Sequence, residues 1–158
     1  MSVIPFPAPN ELGSKLQSLA SRAFSASNVT APSGITDSVV ATNYMVGLGI
    51  LFTPVVTGSA DILIAGNVAN STSSDGAQLQ IAYGTGSAPA KNAAFTGTLV
   101  GTIFDDATGG ATILPFVVRA VLTGLTLGQT IWIDLAQQAL VGGAVVFSNS
   151  ICVQAYEF

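Results

Sequence analysis

Histidine is missing from all 158 residues, cysteine occurs once, and lysine and arginine together number four. Histidine is the side chain whose ordinary pKa suits acid–base chemistry near neutrality, and it is the commonest metal ligand. Without it the eight acidic residues are the main reactive groups, and no spacing in the chain pairs two of them for glycoside hydrolysis. The expectation is a protein that is not an enzyme and needs no cofactor. Four cations within a net charge of −4 supply no basic patch able to neutralise several phosphates, so no nucleic-acid partner is expected. Long apolar runs are also absent. The longest, Tyr44 to Val56, contains Gly47 and Gly49 and is broken by Thr53 and Pro54, short of the roughly 18 residues that a membrane helix needs. Cys152 has no intrachain partner and sits in an apolar run, which reads as a buried, inert thiol. The opening Met-Ser-Val-Ile-Pro-Phe-Pro lacks the pattern of a secretory leader. Synthesis in a cytoplasm is therefore expected.

Charge of either sign is scarce. Charged residues make up 8% of the chain, against about 25% in ordinary soluble proteins, and the mean hydropathy is +0.63. Too little charge remains to cover a free monomer in the usual way, so part of the surface is expected to lie against copies of the chain or a partner.

Residues 1–36 differ from the rest. Pro5, Pro7 and Pro9 alternate around Phe6, which fixes φ and removes amide donors. This predicts an extended arm whose apolar side chains need a surface. Asn10 offers an N-cap, and Leu12, Leu16, Leu19 and Ala23 fall on one helical face, predicting a short amphipathic helix over about 10–25. Ser25 to Ser38 reads as a linker.

From 37 to 158 the pattern is β. Leu79, Ile81 and Tyr83 alternate with Gln78, Gln80 and Ala82, and Ile131, Ile133 and Leu135 alternate with Trp132 and Asp134. Further strands are expected at about 43–52, 60–69, 97–104, 111–123 and 143–157, between clusters of Gly, Asn, Asp and Ser. About eight strands indicate an antiparallel β-sandwich of the jelly-roll kind. Pro115 places its strand at an edge or a bulge.

Two segments, Tyr44 to Phe52 and Ile113 to Leu122, are apolar on both faces. One face suits the core and the other a neighbouring subunit. Met45, Leu48, Ile50 and Phe52 on the first, with Phe116, Val118, Arg119 and Leu122 on the second, are the expected subunit contacts. Arg119 and Asp134 are lone charges in apolar strands, which suggests that they pair with each other or across a subunit boundary. Asp105 and Asp106 before Thr108-Gly-Gly suit a solvated turn, and no metal site is expected. Trp132, Tyr44, Tyr83 and Tyr156 are candidates either for the core or for a sugar-stacking platform.

The stretch from Ala65 to Thr98, with Asp75-Gly76, Tyr83-Gly-Thr-Gly-Ser-Ala-Pro and Thr96-Gly-Thr at its centre, resembles β-sandwich domains in structural proteins of tailed bacteriophages. The resemblance spans about 45–105 and consists of turn and strand motifs. It implies a small jelly roll that forms a homotrimer and serves as a capsid decoration (cement) protein, a head fibre or a tail tip. On that basis we expect a decoration protein on the virion surface whose partners are its own copies and the major capsid protein. Val3, Ile4, Pro5, Phe6 and Pro7 would clamp neighbouring capsid subunits, and Leu12, Leu16 and Leu19 would dock the helix. The rival expectation is a receptor- or glycan-binding tip of a virion fibre or tail protein, using exposed aromatics and the loops at 70–76 and 104–110.

Overall fold

The structure, a computed structural model, describes residues 24–30, 44–72, 76–106, 112–140 and 145–158. Its elements are β1 (Phe24–Thr30), β2 (Tyr44–Met45), β3 (Ile50–Phe52), β4 (Ala60–Asn70), β5 (Ala77–Thr85), β6 (Thr98–Asp106), β7 (Leu114–Leu122), β8 (Ile131–Ala139) and β9 (Val145–Glu157). Every pairing is antiparallel. One sheet runs β1-β9-β4-β7; the other runs β2-β8-β5-β6, with β3 also on β8. With β2 and β3 taken as halves of one interrupted strand, this is the strand order of a jelly roll. The expected strands are present, and Pro115 does lie in a strand at the edge of its sheet.

Alternation explains the layers. On β7, Phe116, Val118, Ala120 and Leu122 are buried while Pro115, Val117, Arg119 and Val121 are exposed. Ile62 and Ile64 of β4 meet Leu79 and Ile81 of β5 and Ile133 and Leu135 of β8 in one core between the sheets. All six are fully buried, each contributing about 1.5–3 kcal/mol relative to exposure. Phe116 stacks obliquely on Phe104 and edge-on against Phe147, both at 6.0 Å between centroids. Gly66, at a bulge in β4, leaves room for the Phe116 ring, because a Cβ there would lie 2.9 Å from it.

Two expectations about elements are corrected. The single strand at 43–52 is split, because Gly47 and Gly49 take φ of 81° and 66° and a Cβ on Gly47 would lie 2.5 Å from the Lys91 amide nitrogen. Phe24–Thr30, expected as the end of a helix and the start of a linker, is a strand in full register with Thr30↔Ser150 through Phe24↔Tyr156. The long β9 supplies a ladder that local composition does not advertise, so the sandwich begins before residue 37. The arm and the remainder of the expected helix fall in 1–23, outside the described residues. Among the described residues no helix is long and apolar enough to cross a membrane.

Buried carboxylates hold the connections. Asp134 is fully buried and accepts the N–H groups of Gly47 at 3.0 Å, Leu48 at 3.0 Å and Leu135 at 2.8 Å. It does not meet Arg119, contrary to expectation. Glu157 accepts the N–H groups of Val55, Val56, Thr57 and Gly58, the shortest at 2.6 Å. Thus one carboxylate ties the β2–β3 connection to β8, and the other ties the β3–β4 connection to the end of β9.

Two predictions follow from these buried polar groups. Gln137 shares the inward face of β8, is fully buried, and has neither amide atom hydrogen-bonded. Leaving such groups unsatisfied costs about 1–3 kcal/mol. Gln137→Met is therefore expected to raise the denaturation midpoint, and an equal or lower midpoint would count against the assignment. For Asp134, burial outweighs the three N–H donors and raises the pKa from 3.8 to about 6. Between these values the folded state keeps a proton that the unfolded chain has lost. Stability from this group is thus greatest below pH 3.8 and declines as pH rises towards 6. The difference is on the order of 3 kcal/mol. Relative to Asp134→Asn, the unsubstituted protein should gain stability on acidification from about pH 7 to pH 4; parallel pH profiles would reject the assignment.

Candidate functional site

The two outer faces of the sandwich are finished differently. On the β8 sheet, Met45, Ala82, Trp132 and Ala136 form a second buried cluster against Ala88, Ala93 and Leu99. The connection between β5 and β6 is laid over that sheet, with Met45 and Asn92 exchanging backbone bonds at 2.9 Å with Ala93 and Met45 respectively. That face is therefore covered by the chain itself.

Among the described residues, no segment is laid over the outer face of β9-β4-β7 in this way. Register puts Tyr156, Asp61 and Val121 in one row, Gln154, Leu63 and Arg119 in the next, and Cys152, Ala65 and Val117 in the third. Val117 is 61% exposed, Val121 56% and Tyr156 43%. At the centre, Arg119 Nε donates to Asp61 Oδ1 at 2.8 Å, and its Nη2 donates to Oδ2. The Tyr156 hydroxyl donates to the same Oδ2 at 2.7 Å. The Arg119 guanidinium beside it holds the Asp61 carboxyl below its ordinary value, with help from Tyr156 and against the effect of burial. The bond to Asp61 pushes the Tyr156 phenol up. Arg119 is more than half exposed while Asp61 is buried. An ion pair so open to solvent contributes little stability; it fixes the direction of the guanidinium.

The sequence-predicted contacts are redistributed by this geometry. Met45, Leu48, Ile50, Phe52, Phe116, Val118 and Leu122 are all buried within the single chain, which places their side chains in its own packed interior. Arg119 alone of that set faces outward. The outward neighbours are Leu51, Val117 and Val121. A signal for this was present, since a charged residue on an apolar strand marks the solvent side, and Arg119 has the parity of Val117 and Val121. Cys152, expected to be buried, is half-buried on the open face. Its residue-two neighbours Ser150 and Gln154 are exposed, in keeping with that side of β9. Val3, Ile4, Pro5, Phe6, Pro7, Leu12, Leu16 and Leu19 lie outside the described residues.

The aromatic residues do not form one platform. Tyr156 belongs to the open face, whereas Tyr83 and Trp132 line a cleft of about 440 Å³ with Gly84, Thr85, Ser87, Thr96, Gly97 and Thr98. Trp132 Nε1 donates to the Thr85 carbonyl at 3.2 Å. Gly84 and Gly97 make room for the indole, because a Cβ on either would stand 2.4 Å from its ring. The lining is rich in hydroxyls and carries no charge. Parts of the expected binding loops, 73–75 and 107–110, are outside the described residues. Among the described residues no group of three or more Cys, Asp or Glu is placed to hold a metal ion.

No protein-family model matches the chain, and no curated protein matches it. Among solved structures, it is similar to a carbohydrate-binding module from Cellvibrio mixtus lichenase 5A in complex with cellotriose, at 15% identity over 80% of this chain and 95% of that one, with a TM-score of 0.36. It is also similar to the Eiger TNF of S. frugiperda, at 7% identity over 86% and 85% of the two chains and a TM-score of 0.36. A chain of infectious bursal disease virus, Gx strain, aligns at 14% identity over 84% of this chain and 39% of its own, with a TM-score of 0.26. At such scores the jelly-roll assignment stands on the strand order of this chain, and no function passes from these structures to it.

Proposed function

We propose that the protein is a structural component of a virus particle: a homotrimeric decoration protein that sits on the outside of a capsid and clamps neighbouring subunits of the major capsid protein. The observation that carries this reading is the unequal finish of the sandwich, with one outer face sealed by its own chain and the other, among the described residues, left with exposed Val117 and Val121 around one ion pair in a protein with 8% charge. Such a face suits permanent assembly better than life as a free monomer. The resemblance of 65–98 to phage structural domains supports the same reading. Synthesis would occur in the host cytoplasm, and no reaction or cofactor is assigned. Residues 1–9 supply the clamp, because a proline-rich segment with Val3, Ile4 and Phe6 pays little conformational entropy when it lies extended over a neighbour.

The test uses empty capsids of the source virus. Full-length protein should co-sediment with them, while a variant lacking residues 1–9 should keep its oligomeric mass and lose most of its capsid binding. Equal binding by the truncated chain would refute the role of the arm.

A second reading, a glycan-binding tip, is favoured by the cleft at Trp132, whose size and uncharged hydroxyl lining fit part of a neutral saccharide. Trp132 is the only tryptophan. A saccharide that enters the cleft should therefore change the protein's indole emission in a saturable way, and a glycan panel that leaves the emission unchanged discards this reading.

A further inference from the structure

We infer that the outer face of β9-β4-β7, centred on Arg119, is where a second copy of this chain packs, with the Arg119–Asp61–Tyr156 group as its polar centre. This rests on the proposed self-assembly and names the surface that carries it.

Charge selects the occupant. The chain has a net charge of −4, so two copies carry like net charge and contact is favoured where no unpaired acidic group is present. Across the three rows of this face the only formal charges are Arg119 and Asp61, which cancel at 2.8 Å. An acidic or a basic partner would gain no net attraction here, whereas an uncharged surface of a second copy, brought against this face as a three-fold assembly requires, meets no repulsion. Composition points the same way. Exposed Val117 and Val121 flank Arg119 on β7, and Tyr156 lies in the same row as Val121 across Asp61; arginine and tyrosine are residue types that dominate interface energetics when water is excluded around them. Arg119 spends two of its five N–H donors on Asp61. With Tyr156 also within reach of the guanidinium, its outward N–H groups face carbonyl or hydroxyl oxygens of the second copy.

Geometry also favours a face-to-face contact over strand addition. The β7 edge is occupied at this level, since the Arg119 N–H donates to Thr102 Oγ1 of β6 at 2.9 Å. A Cβ on Gly101 would stand 2.1 Å from the Arg119 carbonyl oxygen, so β6 lies directly against that edge. A second chain cannot extend the sheet there.

The experiment measures molar mass by light scattering over a concentration series for the full chain, Val117→Asp, Val121→Asp and a matched control, Ile103→Asp, on exposed β6. All three substitutions are at sites more than half exposed, and circular dichroism confirms folding. The full chain and the control should be oligomeric and the two face variants monomeric. Arg119→Ala should raise the self-dissociation constant roughly thirtyfold. Cys152, the only thiol, gives a second readout: maleimide labelling should be slow in the oligomer and fast in Val117→Asp. An oligomer that survives both face substitutions overturns this surface and leaves self-assembly intact. A full chain that is monomeric at every concentration overturns both.

Discussion

Buried carboxylates that accept backbone N–H groups hold this sandwich's connections in place. Asp134 and Glu157 accept amides from the segments that lead into β3 and β4. The reason lies in composition. Tight connections leave N–H groups that no sheet can satisfy, and burying them without an acceptor costs about 1–3 kcal/mol each. A chain with few charged side chains uses these carboxylates as acceptors that each serve several donors. Asp134 does so at the expense of a raised pKa, since no positive charge offsets its removal from water. Because these two groups sit on β8 and β9, each connection is referred to the central part of a sheet. The positions of β2 and β3 over β8 depend on them.

That anchoring produces the asymmetry between the outer faces. Once Asp134 holds Gly47 and Leu48, Met45 is fixed over Ala82, Trp132 and Ala136, and the β5–β6 connection can close over the same sheet. Glu157 works at the other end, where it binds the connection into β4 and leaves the outer side of β9 and β4 free of any overlying described segment. Asp61, the third buried carboxylate, is spent differently: its acceptors serve Arg119 and Tyr156 on the open face.

Much of this was readable in advance, and the misreadings have physical causes. Period-two alternation located the strands and marked Pro115 as an edge position, because both depend on local backbone geometry. Phe116, Val118 and Leu122 turn into the core while Arg119 turns outward, because residues of opposite parity face opposite sides of a strand. β1 was hidden because Ser25-Ala-Ser-Asn28 has little β propensity; its pairing to β9 is a property of the sheet, which tertiary contact supplies and local pattern does not. The Asp61–Arg119 pair joins residues 58 apart in sequence and follows only from the β4–β7 register. The cleft at Trp132 was equally illegible, since its shape depends on Gly84 and Gly97 meeting one ring from two segments.

An open apolar face is by itself indiscriminate, and that makes the ion pair at its centre informative. Valines alone would accept any apolar surface, including misfolded or aggregated copies. An arginine held by two bonds to a buried carboxylate is different: a partner that covers it must supply acceptors in a fixed arrangement or leave buried donors unsatisfied. In the proposed contact Val117 and Val121 would give the association its strength, and Arg119 would restrict it to one geometry. The pair is the wrong tool for stabilising the monomer, because Arg119 is exposed there and screened by water. Its value rises when water is excluded, which is a property of an assembled state.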